Sequence, residues 1–146
     1  MEGGEDGNSI RVVVRCRPFN ARELAEGGPA EAALGCSEKS IEIQAGGGVS
    51  AASGKTFSYD RVFGSDATQG QLFEAVGVRL LQNALDAYNG CIFAYGQTGA
   101  GKSHSVVGDV HSDAGQGILP RACTCLFEMI SSRREADARF QATVLA

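Results

Sequence analysis

The segment that most constrains this sequence runs from Gly96 to Ser103, reads GQTGAGKS, and fits the pattern GxxxxGK[ST]. In a chain of this composition, with 20 glycines among 146 residues, chance gives roughly 0.006 matches to that pattern. The five residues before it, Cys91 to Tyr95, are apolar and predict a buried strand of a parallel sheet. A strand, a glycine-rich turn and a following helix are the context in which this pattern binds phosphate. The alternative is a glycine-rich turn between a strand and a helix that holds no ligand.

Each residue type in this segment suits the binding of a phosphate chain. The glycines let the backbone wrap tightly with its N–H groups turned towards an anion, and the helix that follows adds its positive end. The lysine reaches the β- and γ-phosphates, and the serine hydroxyl is a ligand for Mg²⁺. The predicted nucleotide-binding residues are therefore Gly96, Gln97, Thr98, Gly99, Ala100, Gly101, Lys102 and Ser103, with Ser103 also predicted as the metal ligand.

A second GK[ST] tripeptide, Gly54-Lys55-Thr56, is not predicted to bind phosphate. The pattern requires a glycine five positions before Gly54, and that position holds Val49. No apolar strand precedes this tripeptide either.

Strands and helices are predicted to alternate along the chain. Thr68 and Gln71 have capping-box spacing, which predicts a helix from Thr68 that Asn89-Gly90 ends. Pro120 is predicted to open another helix, whose apolar face includes Leu126, Phe127 and Ile130. Strands are predicted at 10–15, 41–44, 57–59, 91–95 and 139–145. This order predicts an α/β fold with a largely parallel sheet flanked by helices.

Composition and charge exclude several classes of protein. The chain has 13 basic and 17 acidic residues, so its net charge is −4, which argues against a nucleic-acid partner. No apolar run approaches the length of a membrane helix, and no membrane insertion is expected. The five cysteines form no CxxC pair, which predicts free thiols in a reducing compartment rather than a zinc site. Residues 1–9 are rich in Gly, Glu and Asp and are predicted to be a disordered leader.

Four segments in a fixed order closely resemble the kinesin motor domain. They are distributed along most of the chain between Ile10 and Leu145 and keep the family's order, so the match is specific. The segments are VRCRPFN at 14–20, YDRVF at 59–63, IFAYGQTGAGKS at 92–103 and GILPR at 117–121.

The resemblance implies a P-loop NTPase-like fold, with ATP and Mg²⁺ as cofactors. It also implies ATP hydrolysis coupled to movement along microtubules, in the cytoplasm and on the cytoskeleton. In kinesins the Arg-x-Arg-Pro segment, here Arg15, Arg17 and Pro18, borders the adenine ring, and the residue corresponding to His104 packs on its other side. Without the resemblance, the two arginines fit a solvated strand edge and His104 fits a polar position on the first turn of a helix.

The sequence departs from the family pattern in one respect. Kinesins sense the γ-phosphate through two further loops that resemble N-x-x-S-S-R-S-H and D-L-A-G-S-E, and neither occurs in these 146 residues. We therefore nominate no catalytic residue. Residues 10–146 are expected to be the N-terminal, nucleotide-binding half of a motor domain, with an incomplete sheet, weak ATP binding and no turnover. Its microtubule-binding elements would be mostly absent.

Two other functions stay open on the sequence. One is a non-catalytic module, such as a short isoform, that binds nucleotide or a partner. The other is a small P-loop kinase or GTPase, although such proteins usually place the loop near the N-terminus, and here about 95 residues precede it.

Overall fold

The computed structural model describes residues 10–26, 34–43 and 54–134, which form two compact units, Met1–Ala67 and Thr68–Ala146. The predicted leader at 1–9 and the predicted strand at 139–145 lie outside the described residues. The elements of the first unit are β1 (Val13–Arg15), α1 (Ala21–Ala25), β2 (Leu34–Cys36), β3 (Ser40–Ile43), β4 (Lys55–Ser58) and β5 (Arg61–Phe63). Those of the second unit are α2 (Gln69–Leu85), α3 (Lys102–Val106) and α4 (Ile118–Arg134).

The described strands of the first unit form two small sheets. β1 and β5 pair in parallel, with Val14 opposite Val62, whereas β2, β3 and β4 form an antiparallel sheet in that order. A backbone hydrogen bond from Val62 N of β5 to Glu38 O, between β2 and β3, joins the two sheets at 2.8 Å, and a bond of the same length from Tyr59 N to Lys39 O extends the pairing of β3 with β4. The prediction of a largely parallel sheet therefore rests on one parallel pair among the described strands and stays a prediction.

The second unit is built on two helices of equal length, α2 and α4, which pack together. The predicted capping box at the start of α2 is confirmed. Thr68 Oγ1 accepts a hydrogen bond from Gln71 N, and Gln71 Oε1 accepts one from Thr68 N. The helix ends at Leu85, a few residues before the predicted stop. Its buried apolar side chains are Leu72, Phe73, Ala75 and Leu81.

Helix α4 begins at Ile118, two residues before the proline that was predicted to open it. Proline fits there because an N–H in the first turn of a helix has no intrahelical partner. Ile118 and Ile130 are buried, but Phe127 is 50% exposed, so its predicted place on the apolar face is wrong. In the row with four-residue spacing, 118 and 130 are buried and 122 and 126 are half-buried, and Phe127 lies one residue beyond that row.

The predicted buried strand at 91–95 is also wrong. These residues form no strand, and the side chains of Phe93 and Tyr95 are 83% and 91% exposed. An apolar run becomes a strand only where neighbouring strands take up its backbone N–H and C=O groups. Neither sheet of the described residues includes this run.

No helix in the described ranges is both long enough and apolar enough to cross a membrane.

Candidate functional site

The segment from Gly96 to Gly101 is a turn that only glycine allows at three positions. The φ angles of Gly96, Gly99 and Gly101 are +153°, +82° and +90°, in a region that residues with a side chain rarely adopt. Gly101 is the N-cap of α3, whose first residue is Lys102. The prediction that this motif turns directly into a helix is confirmed.

The ammonium group of Lys102 folds back over this turn. Its Nζ donates to the carbonyl oxygens of Gly96 and Gln97, at 2.7 and 2.8 Å, and Ala100 N donates to the same Gln97 oxygen at 3.1 Å. An ammonium has three N–H donors, and these two bonds use two of them. The positive charge of Lys102 is therefore held beside the carbonyl oxygens of Gly96 and Gln97, at the cavity that an anion can enter.

A surface cavity of about 330 Å³ opens at this turn. Ser103 lies at the start of α3 with its side chain exposed, beside the lysine. The lining residues are Thr98, Gly99, Gly101, Lys102, Ser103 and His104. The cavity therefore combines glycine backbone, one ammonium group and a hydroxyl, which is a donor set suited to phosphate.

The buried side-chain amide of Gln69 holds the backbone of α3 next to this cavity. Gln69, the first residue of α2, is 5% exposed, and its Nε2 donates to His104 O at 2.6 Å and to Gly115 O at 3.2 Å. Its Nε2 also lies 3.4 Å from His104 Nδ1. The carbonyl of His104 is thus fixed while its side chain stays exposed at the cavity. We did not predict a role for Gln69 from the sequence.

The turn that carries Gly115 is held by α4. Arg121 Nε donates to Gln116 O at 2.8 Å, and Gly117 N donates to Val107 O at 2.9 Å, directly after α3. Together these contacts fix the end of α3 against the segment 108–117.

The predicted adenine residues of the Arg-x-Arg-Pro segment lie in the first unit. Arg15 Nη2 donates to Ala67 O at 3.1 Å, and burial lowers the pKa of its guanidinium. Arg17 forms two hydrogen bonds with the carboxylate of Glu23, at 2.5 and 2.7 Å, and Pro18 is exposed. Since His104 and the glycine turn belong to the second unit, a shared nucleotide site stays a prediction.

The pair of Arg17 and Glu23 perturbs both groups. The hydrogen bonds from Arg17, and next the bond from Asn20 N, lower the pKa of Glu23 to about 2, while the pKa of Arg17 is raised by the same carboxylate. Glu23 also completes the capping box of α1 with Asn20. The arginine is therefore positioned by the start of the helix that follows it.

The second GK[ST] tripeptide has a different structure. Lys55 and Thr56 belong to β4, which pairs antiparallel with β3, and no helix follows them directly. Lys55 and Thr56 therefore lie in a strand and not at the start of a helix, where the pattern places its lysine and hydroxyl residue.

Comparison with known proteins places these features in a family. Residues 15–146 match the kinesin motor domain. Kinesin-related protein 2 of Dictyostelium discoideum is 38% identical over 138 residues, covering 91% of this chain. Kinesin-like protein unc-104 of Caenorhabditis elegans is 34% identical over 151 residues, covering 94% of this chain. Kinesin heavy chain isoform 5A of Homo sapiens is 37% identical over 127 residues, covering 87%.

The chain belongs to the kinesin motor domain family. It spans 17% of the Dictyostelium protein, 9% of the nematode protein and 11% of the human protein.

Proposed function

We propose that this chain binds ATP with Mg²⁺ through Gly96–Ser103 and is the nucleotide-binding part of a kinesin-like microtubule motor. The observation that carries the proposal is the position of Lys102. Its ammonium group lies over a turn of three glycines with positive φ, at the edge of the cavity that Ser103 also lines.

The residues present fit a magnesium-bound triphosphate. Backbone N–H groups of the turn and the ammonium of Lys102 would hold phosphate oxygens, and the hydroxyl of Ser103 would hold the metal. When bound, Mg²⁺ neutralises phosphate charge and orients the terminal phosphates. The bonds from Lys102 to two loop carbonyls keep its charge at this place before any ligand arrives.

We further propose that Arg15, Arg17, Pro18 and His104 contact the adenine ring. The paired guanidinium of Arg17, the pyrrolidine of Pro18 and the imidazole of His104 are flat groups that can pack on a purine. Support comes from the ion pair that fixes Arg17 and from Gln69, which fixes the backbone of His104.

The remaining parts of the proposal follow from the family. They are a P-loop NTPase-like fold with a largely parallel sheet, a motor-domain segment at 10–146 behind a leader at 1–9, and a place in the cytoplasm on the cytoskeleton. The complete motor would couple ATP hydrolysis to movement along microtubules. Because neither γ-phosphate-sensing motif occurs in these 146 residues, we propose that this chain binds ATP weakly without turnover.

Titration with a fluorescent ATP analogue, with and without Mg²⁺, tests this function. We expect Mg²⁺ to tighten binding about tenfold in the natural sequence, and Ser103→Ala to lose most of that gain because it removes the metal ligand. Ser103→Thr, which keeps the hydroxyl, is the matched control and should retain the gain. The proposal would be contradicted if the affinity for the analogue were the same with and without Mg²⁺ in all three proteins. Microtubule-stimulated ATP turnover by this chain would also contradict it.

A further inference from the structure

Two of the five cysteines, Cys16 and Cys36, meet in the first unit. Their Sγ atoms are 3.6 Å apart, with the Cys36 thiol donating to the sulfur of Cys16. A disulfide bond is about 2.05 Å long, so the two sulfurs need to approach by only about 1.5 Å. The remaining cysteines, Cys91, Cys123 and Cys125, belong to the second unit.

The backbone holds this pair together. Cys16 directly follows β1, and its N–H donates to Phe63 O at 2.8 Å. Cys36 ends β2 and pairs with Ile41 of β3. Because each cysteine is fixed in the hydrogen bonding of its own sheet, the short distance between the two sulfurs is set by the fold of the unit.

The two thiols differ in their surroundings. Cys36 is exposed, whereas Cys16 is half-buried, and burial together with the hydrogen bond from Cys36 raises the pKa of Cys16 to about 11. Both line an open cavity of about 590 Å³, through which a small oxidant can reach them. Cys36 is therefore the thiol that meets the oxidant first, and Cys16 is its partner.

We propose that Cys16 and Cys36 are a redox pair that a peroxide closes into a disulfide. The thiolate of Cys36 attacks one oxygen of hydrogen peroxide, the O–O bond breaks, and a sulfenic acid and a hydroxide form. The thiol of Cys16 then attacks Cys36 Sγ and gives its proton to the departing hydroxyl group, so that the S–S bond forms and water leaves. In total, two thiols and one peroxide give one disulfide and two waters, with two electrons passing from sulfur to oxygen.

The closed pair would link the end of β1 to the end of β2. Arg17 is the residue directly after Cys16, and its ion pair with Glu23 lies on the chain between the two cysteines. Closure would therefore constrain the segment that carries Arg17. In a reducing compartment the pair stays open until peroxide rises.

Peptide mapping tests the pair directly. The reduced 146-residue chain is treated with one equivalent of hydrogen peroxide, alkylated with N-ethylmaleimide and digested with trypsin without reduction. Cleavage at Arg15, Arg22 and Lys39 gives separate peptides, 16–22 with Cys16 and 23–39 with Cys36. We expect these two peptides to be joined at least about tenfold more often than any other cysteine pair.

Variants and a denaturant control make the result specific. Cys16→Ser should abolish the link and leave a sulfenic acid at Cys36 that dimedone traps, whereas Cys91→Ser should leave the link unchanged. In guanidinium chloride the preference for this pair should disappear, because it depends on the fold. Two results would overturn the proposal. One is Cys36 oxidised beyond the sulfenic acid while Cys16 is recovered in its alkylated form, and the other is a preference for the Cys16–Cys36 link that persists in guanidinium chloride. The readout is covalent and does not depend on nucleotide binding.

Discussion

A single buried side chain, Gln69, connects three parts of the second unit. Its amide nitrogen contacts His104 in α3 and Gly115 in the following turn, 35 and 46 residues away along the chain. Hydrogen bonds from a buried donor contribute to stability, and losing one without a replacement costs free energy. At the residue scale, Gln69 therefore links the start of α2 to α3 and to the turn at Gly115.

Gln69→Ala should lower the free energy of unfolding by about 1–3 kcal/mol, because it removes the buried donor that bonds to the carbonyl oxygens of His104 and Gly115. Urea denaturation measures the loss. Gln82→Ala is the matched control, since it removes an exposed glutamine from the same helix and should change stability by less than about 0.5 kcal/mol. Equal effects of the two substitutions would contradict the role of Gln69.

The ion pair of Arg17 and Glu23 predicts a pH dependence. The folded pKa of Glu23 is about 2, below the ordinary 4.5, so its ionised form favours the folded state. This contribution is present above pH 4.5 and is lost as the pH falls from there through 2. Glu23→Gln keeps the N3 hydrogen bond to Asn20 but removes the charge.

The difference in unfolding free energy between the natural sequence and Glu23→Gln should therefore shrink as the pH falls below 4.5. Denaturation at several pH values measures it, and the NMR titration of the Glu23 carboxyl carbon gives the pKa directly. A Glu23 pKa near 4.5 would show that the pair with Arg17 does not form in solution.

At the scale of elements, α2 depends on its N-terminal cap. Thr68→Ala should destabilise the protein by about 1 kcal/mol because Gln71 N loses its acceptor. Thr68→Ser keeps the hydroxyl and should stay close to the natural stability. Urea denaturation compares the three proteins, and an alanine variant as stable as the serine variant would show that the capping box contributes nothing.

The helices were largely predictable because their determinants are local. Thr68 and Gln71 mark the start of α2 at the right residue, and Asn20 and Glu23 have the same spacing at α1, a signal that we did not use. The predicted strand at 91–95 failed because pairing depends on neighbours that periodicity does not reveal.

The glycine turn at 96–101 was predictable for a related reason. Its shape requires glycines with positive φ, followed by a lysine at fixed spacing, and these residue types can be recognised directly in the sequence. Gln69 was not predictable, because a glutamine in the first turn of a helix is ordinarily solvated. Its burial follows from contacts with distant residues that only the fold brings near.

At the scale of the whole molecule, the predicted nucleotide residues are divided between the two compact units. Arg15, Arg17 and Pro18 belong to the first, and the glycine turn with His104 belongs to the second. The proposed adenine contacts and the proposed phosphate contacts can therefore be tested by separate substitutions. The proposed phosphate contacts carry the central claim, since the turn and Lys102 define the candidate site.

The most direct test compares ATP affinity, by titration calorimetry with Mg²⁺, for the natural sequence, Lys102→Ala and Lys55→Ala. Both variants remove a lysine from a GK[ST] tripeptide, but only Lys102 lies over the glycine turn. We predict that Lys102→Ala weakens binding about 10- to 100-fold, as expected for the loss of charge-assisted hydrogen bonds, while Lys55→Ala leaves it unchanged. Unchanged affinity in Lys102→Ala, or an equal loss in both variants, would contradict the account.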